Sequence, residues 1–213
     1  MSDTLAQIAN AVMEGRMKDM AGLTQEALAG GLSAQEILDK GLMPGMDVVG
    51  AEFKKGKRFV PDVLLSSRTM QASLDILKPM LVAAGAKMAG KVVIGTVKGD
   101  LHDIGKNLVG MMLEGSGFEV VDLGKDVAPD KFVEAVKREQ PSIIAMSALL
   151  TTTMRAMGHT ITALKEASLR DGVRVMVGGA PVTADFAKQI GADGYASNAP
   201  AAADMAKAFA QAN

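Results

Sequence analysis

The chain has no cysteine and no tryptophan, and only one tyrosine and two histidines among its 213 residues. Without cysteine there can be no disulfide, no thiolate zinc site and no iron–sulfur cluster, and a reducing, cytoplasmic setting is expected. Net charge is nearly absent as well. The 23 Lys plus Arg and 24 Asp plus Glu leave −1, with no basic stripe of the kind that tracks a phosphate backbone. No apolar run approaches the ~20 residues of a membrane-spanning helix, and the polar start Met1-Ser2-Asp3-Thr4 does not read as a secretory leader. Neither nucleic acid nor a membrane is an expected partner. Any metal or acid–base chemistry has His102, His159 and the carboxylates to draw on. What the chain does have is apolar substance. With 48% hydrophobic and 22% charged residues, it can bury a real core in one large or two small domains.

The pattern changes character near Ala86 to Gly90. Before it, helical periodicity prevails: Leu5, Ile8, Ala9 and Val12 share a face, a second helix spans about Lys18 to Ala29, and Ser33-Ala34-Gln35-Glu36 forms a capping box. Longer helices are expected over about Leu42 to Lys55 and Pro61 to Ala84, with Pro79 kinking or shortening the second. The basic loop from Lys54 to Arg58 between them is a plausible docking element. After the change, apolar runs at Val92–Val97, Phe118–Leu123, Ile143–Met146, Val173–Val177 and Tyr195-Ala196 alternate with helical patterns starting near Ile104, Pro129, Thr153, Thr183 and Ala199. The expectation is therefore an α/β chain. A helical cap bundle over 1–86 precedes a flavodoxin-like, Rossmann-type domain over 87–213, with five parallel strands in the order 2-1-3-4-5.

Such sheets bind ligands beyond the carboxyl ends of their strands, at the switch point between the first and third. That rule selects the loops Lys98–Lys106 and Ser147–Met154, with Gly178-Gly179 beside them. In the first loop Asp100 lies two residues before His102 and can reach one ring nitrogen, fixing the tautomer and raising the basicity of the other, as a metal-ligating histidine requires. Gly105 allows close approach of a bulky group. The plainer alternative is that Asp100 and Asp103 only cap the next helix. No second histidine or cysteine stands nearby to build a zinc site, so a lone ligating histidine points to a metal already held by a macrocycle. In the second loop Ser147, Thr151, Thr152 and Thr153 offer four hydroxyls; a helix cap at Thr152 or Thr153 accounts for one. Gly178-Gly179 is either a turn or a place where a ligand passes the main chain. His159 reads as an exposed helix residue without a role.

Asp100-x-His102-x-x-Gly105, Ser147-x-Leu149 and Gly178-Gly179, in this order and at strand ends, resemble the cobalamin-binding fingerprint of the methionine-synthase and mutase type. The helical part, especially Phe59-Val60-Pro61-Asp62, resembles the cap of its methyl-transferring members. Within that type the chain is similar to the stand-alone corrinoid proteins of anaerobic methyltransferase systems, which serve methylamines, methanol or methoxylated aromatics. The resemblance implies a cobalamin cofactor with His102 as lower axial ligand to cobalt, Asp100 on its far nitrogen, and Thr153 where methionine synthase carries a serine. It also implies that Gly99, Leu101, Asp103, Gly105 and Leu149 bind the cofactor, that Ser147 and Thr151 meet its nucleotide tail, that Gly178-Gly179 lines the tail's channel, and that Ala199 makes a tail contact. The implied activity is that of a methyl carrier rather than a complete enzyme. It would cycle between methyl–Co(III) and Co(I), with proton uptake at the Asp100–His102 pair on loss of the methyl group. The cap, hinged over Ala84 to Gly90, would shield the methyl group. The implied partners are a substrate:corrinoid methyltransferase, a second methyltransferase with a thiol or folate acceptor, and a reductive activator of Co(II). The alternatives are a subunit of an adenosylcobalamin mutase, a cobalamin-dependent sensor, or a flavodoxin-like module with another cofactor.

Overall fold

The computed structural model describes residues 2–84 and 88–212. It divides into two compact units, Met1–Met88 with Gly115–Gly117, and Ala89–Glu114 with Phe118–Asn213. The expected domain boundary between Ala86 and Lys87 lies outside the described residues.

The first unit is helical: α1 (Ser2–Glu14), α2 (Met17–Ala29), α3 (Ala34–Ile37), a π-helical turn (Leu38–Leu42), α4 (Met43–Lys54) and α5 (Val60–Ala83). α1 lies against α2 and α4, and α2 against α5. Ser33 and Glu36 form the capping box that starts α3. Between α2 and α5 the buried hydroxyls of Thr24 and Ser73 meet at 2.8 Å. α5 passes through Pro79 and ends at Ala83, so the proline does not shorten it. Pro79 cannot donate to the Asp75 carbonyl, and because Asp75, Lys78, Pro79 and Met80 are exposed, water can take that bond instead. In the basic loop the Arg58 guanidinium is already engaged, donating to Glu52 Oε2 at 2.6 Å and to the Met13 carbonyl.

The second unit holds the sheet: β1 (Gly90–Thr96), β2 (Phe118–Asp122), β3 (Ile143–Ser147), β4 (Arg174–Gly178) and β5 (Gly194–Ala196), all parallel, in the order β2-β1-β3-β4-β5. Between them run α6 (Ile104–Gly115), α7 (Pro129–Glu139), α8 (Arg155–Glu166) and α9 (Ala184–Ile190); α10 (Ala199–Gln211) follows β5. The period-two alternation of each strand divides its side chains between two cores. Val93, Ile144, Met146, Val175 and Val177 face Phe132, Met157, Ile161 and Leu164 of α7 and α8 on one side. Val92, Ile94, Ile143, Ala145 and Met176 face Leu113, Ala202 and Ala206 of α6 and α10 on the other. This double burial is why the strands read as unbroken apolar runs. It also brings the carboxyl ends of β1 and β3 side by side, with Thr96 in register with Ser147 and Ser147 with Gly178.

Candidate functional site

At those strand ends the chain leaves β1 through a tight turn, Asp100 N–H donating to the Val97 carbonyl at 3.1 Å around Gly99 at φ +84. The turn delivers Asp100 into a fully buried position. There its carboxylate has a donor on every side. Oδ1 accepts the His102 backbone N–H at 3.0 Å and His102 Nδ1 at 2.8 Å. Oδ2 accepts the Thr153 hydroxyl at 2.6 Å, the Leu149 N–H at 2.7 Å and the Leu150 N–H at 3.3 Å. Burial pushes the Asp100 carboxyl up. The Thr153 hydroxyl, the Leu149 and His102 N–H groups and the imidazole together outweigh it and hold the group well below the usual carboxylate range. Asp100 is thus an anion that can only accept, so His102 Nδ1 must be the donor and Nε2 carries the free lone pair.

The rest of His102 is open, with its side chain 52% exposed. Next to it in the chain, and on the β3–α8 loop bonded to the same Asp100, stand large apolar residues that are also exposed: Leu101 at 63%, Ile104 at 77%, Leu149 at 44% and Leu150 at 43%. An imidazole with one free nitrogen on such loops suits a flat, largely apolar group that offers a metal one vacant position. Among the described residues no three His, Asp, Glu or Cys side chains converge to hold a metal by themselves. A macrocycle that brings its own equatorial ligands fits that donor set. Gly105, in the first turn of α6, supports the same fit: a Cβ there would meet nothing within 4 Å, so nothing in the protein itself demands a glycine.

The site residues expected from sequence occupy this sheet end in different ways. His102, Leu149 and Thr153 are joined through hydrogen bonds to Asp100, which Gly99 and Leu101 flank in the chain. Asp103, just before α6, contributes its carbonyl, which accepts Asn107 N–H at 2.8 Å at the start of the helix. Ser147 ends β3, and Thr151 is exposed in the loop that follows. Gly178 and Gly179 are demanded by neighbouring main chain. A Cβ on Gly179 (φ +123) would stand 1.9 Å from the Ala148 carbonyl oxygen, and one on Gly178 2.8 Å from that of Ala196. Ala199 is buried at the start of α10, beyond β5. One expectation is corrected. Neither Thr152 nor Thr153 caps α8, which begins at Arg155 after a turn, with no side-chain cap at Met154. The single Thr153 hydroxyl proton goes instead to Asp100 Oδ2 at 2.6 Å, the stronger acceptor, with the Leu150 carbonyl oxygen also within 3.0 Å of Oγ1.

Sequence reasoning missed the loop after β2. There Asp126 accepts the Gly99 N–H at 2.8 Å and donates its own N–H to the Asp100 carbonyl at 3.0 Å. Lys106 of α6 has a buried side chain paired with Asp122 at the end of β2. The signal was faint: an aspartate just before a Val-Ala-Pro helix start, and a lysine one turn after the histidine.

A family model described as a B12 binding domain matches residues 90–204, and a second of the same description matches residues 4–78. Trimethylamine corrinoid protein 2 of Methanosarcina mazei is 43% identical over 208 residues, covering 97% of this chain and 95% of the relative. The chain belongs to the B12-binding corrinoid proteins of methyltransferase systems. A dimethylamine corrinoid protein of Methanosarcina barkeri is 44% identical over 207 residues, covering 96% of each. Among solved structures, the methanol:cobalamin methyltransferase complex MtaBC from Methanosarcina barkeri superposes with a TM-score of 0.89 at 33% identity, over 99% of this chain and 81% of that one. A cobalamin-binding protein from Desulfitobacterium hafniense does so at 0.78 and 35% identity, over 96% and 98%. The cofactor of the family is cobalamin or a related corrinoid, and the exposed imidazole stands in the matched B12-binding region.

Proposed function

We propose that this corrinoid protein is a methyl carrier in which His102 is the lower axial ligand, serving a methyltransferase that takes its methyl group from a methylamine, methanol or a methoxylated aromatic. A second methyltransferase with a thiol or folate acceptor would unload it, and a reductive activator would rescue the oxidised form. The observation that carries this reading is the buried Asp100 carboxylate bonded both to His102 Nδ1 at 2.8 Å and to the Thr153 hydroxyl at 2.6 Å, with Nε2 left free among exposed apolar side chains. The bound corrinoid supplies a cobalt that accepts a methyl group and gives it up again. The chain's own residues then have distinct work. His102 presents Nε2, Asp100 fixes the imidazole tautomer and neutralises any proton the ring takes up, and Thr153 holds the second oxygen of Asp100. Leu101, Ile104, Leu149 and Leu150 exclude water from the lower face, and the open space over Gly105 admits the group close to the main chain. Ser147, Thr151, Gly178, Gly179 and Ala199 line the path proposed for the nucleotide tail. Names of relatives support the donor classes: trimethylamine, dimethylamine and methanol each appear among them.

The test is to load the apoprotein with isotope-labelled methylcobalamin, pass it through gel filtration and challenge it with a thiol. The label should stay with the chain and reach the thiol only when a cognate methyltransferase is added. Equal transfer from free methylcobalamin without the chain would contradict the carrier role.

A further inference from the structure

Asp126 lies in the loop between β2 and α7 with φ +56, a left-handed conformation that few non-glycine residues adopt. Its side chain turns back to the histidine loop. Oδ1 accepts the Gly99 N–H at 2.8 Å and Oδ2 the Lys98 ammonium at 3.1 Å, while its own N–H donates to the Asp100 carbonyl at 3.0 Å. The Gly99 N–H comes first and the Lys98 ammonium second in holding the Asp126 carboxyl below its ordinary range, so it is an anion at neutral pH.

The conformation of the turn gives these bonds their meaning. Val97 to Asp100 close a turn with Gly99 at φ +84 in its third position, which is type II. A type I turn over the same four residues would differ by a flip of the central Lys98–Gly99 peptide and a change of sign in the Gly99 φ. Glycine tolerates both. The N–H that such a flip would swing away is the one Asp126 holds. The flip itself leaves the two ends of such a turn in place; what the Asp126 bonds to the Gly99 N–H and to the Asp100 carbonyl fix together is the main chain on both sides of the Asp100 side chain.

The loop carrying Asp126 is independently anchored. Leu123 N–H donates to the Ile94 carbonyl at 2.8 Å, Thr96 N–H to Gly124 at 2.9 Å and Val127 N–H to Thr96 at 2.9 Å. Asp122 accepts Gly124 N–H at 2.8 Å and pairs with buried Lys106.

We infer that Asp126 is a positioning residue for the lower ligand: through the Gly99 N–H and the Asp100 carbonyl it holds the main chain on both sides of Asp100, and with it the carboxylate that serves His102. The inference rests on the reading of His102 as that ligand. Two variants separate the lock from mere turn geometry. D126G keeps the left-handed backbone, which glycine adopts more readily, and removes only the acceptor. D126N keeps an oxygen for the Gly99 N–H.

The first readout needs no cofactor. Apoprotein labelled with nitrogen-15 histidine on a His159→Gln background shows a single imidazole, that of His102. Wild type and D126N should give a hydrogen-bonded Nδ1–H signal, and D126G should lose or broaden it. On reconstitution with cobalamin, D126G should bind about tenfold more weakly, the scale of effect of groups that orient a metal ligand. Its Co(II) paramagnetic resonance spectrum should show a smaller share of histidine-ligated cobalt. A D126G protein with the wild-type imidazole signal and wild-type ligation overturns the lock, as does a D126N protein that loses both as fully as D126G. If cobalt in the wild-type protein carries no histidine nitrogen, the ligand reading fails, while the apoprotein comparison still decides whether Asp126 sets the turn.

Discussion

Asp100 has no water to turn to, so each donor removed from it should be felt. Thr153 supplies its shortest hydrogen bond, at 2.6 Å. Thr153→Val keeps the shape and deletes the hydroxyl. It should cost about 1–3 kcal/mol in denaturant melts of the apoprotein, the scale for a buried charged acceptor left short of a donor. Thr153→Ser should recover most of that. The pH dependence has a definite sign. The folded Asp100 carboxyl sits below its unfolded value, so the stability it provides is present above the ordinary carboxyl pKa of about 3.9 and is lost as pH falls through that value toward the folded one. The stability gap between wild type and Asp100→Asn should therefore hold level from neutrality to about pH 5 and close below about pH 4. A gap that already narrows near pH 6 would point to another group. Asp100, His102 and Thr153 were legible in the sequence because an Asp-x-His pair and a threonine cluster both fell at strand ends. Asp126 was not. Its partner Gly99 is far away in sequence, and a left-handed aspartate leaves no periodic trace.

Among the elements, the strands were read almost to the residue, because burial on both faces writes a continuous apolar run. Most helix starts of the second unit were read to within a residue, with a side-chain cap at α9 (Thr183) and α10 (Asn198) and without one at α7, where Pro129 marks the first turn. The start of α8 was misplaced because its threonine was drawn to a buried carboxylate rather than to the helix, a choice that only the tertiary structure makes. The π-helical turn at Leu38–Leu42 has no sequence signature in its periodicity. The glycines of the site loops divide cleanly by what surrounds them. Gly179→Ala should destabilise the apoprotein by about 1–3 kcal/mol, since φ +123 and a carbonyl oxygen at 1.9 Å both oppose a side chain. Gly105→Ala meets open space. It should leave the apoprotein as stable or up to about 1 kcal/mol more so, while weakening cobalamin binding. Melting curves with and without cobalamin check both. A Gly105→Ala protein that binds as wild type would remove Gly105 from the cofactor surface.

At the scale of the molecule, composition narrowed the chemistry before any motif was consulted: with no cysteine and two histidines, imidazole ligation of a metal could fall only to His102 or His159. Family and cofactor then followed from agreement between strand-end placement, the Asp100–His102 geometry and B12-binding matches along nearly the whole chain. The choice of methyl donor was not legible in the sequence. In the basic loop, part of the charge expected to dock a partner, that of Arg58, is spent inside the helical unit on Glu52 and Met13.

The carrier reading stands or falls on His102 as the proposed cobalt ligand. The most direct test is the electron paramagnetic resonance spectrum of the Co(II) protein, reconstituted with cobalamin and grown with either ordinary or nitrogen-15 histidine. Each cobalt line should be split into a triplet by ordinary nitrogen and into a doublet by the labelled histidine, and the doublet should vanish in His102→Ala. A triplet that persists after labelling would place another nitrogen, such as the cofactor's own benzimidazole, on the metal and contradict the account.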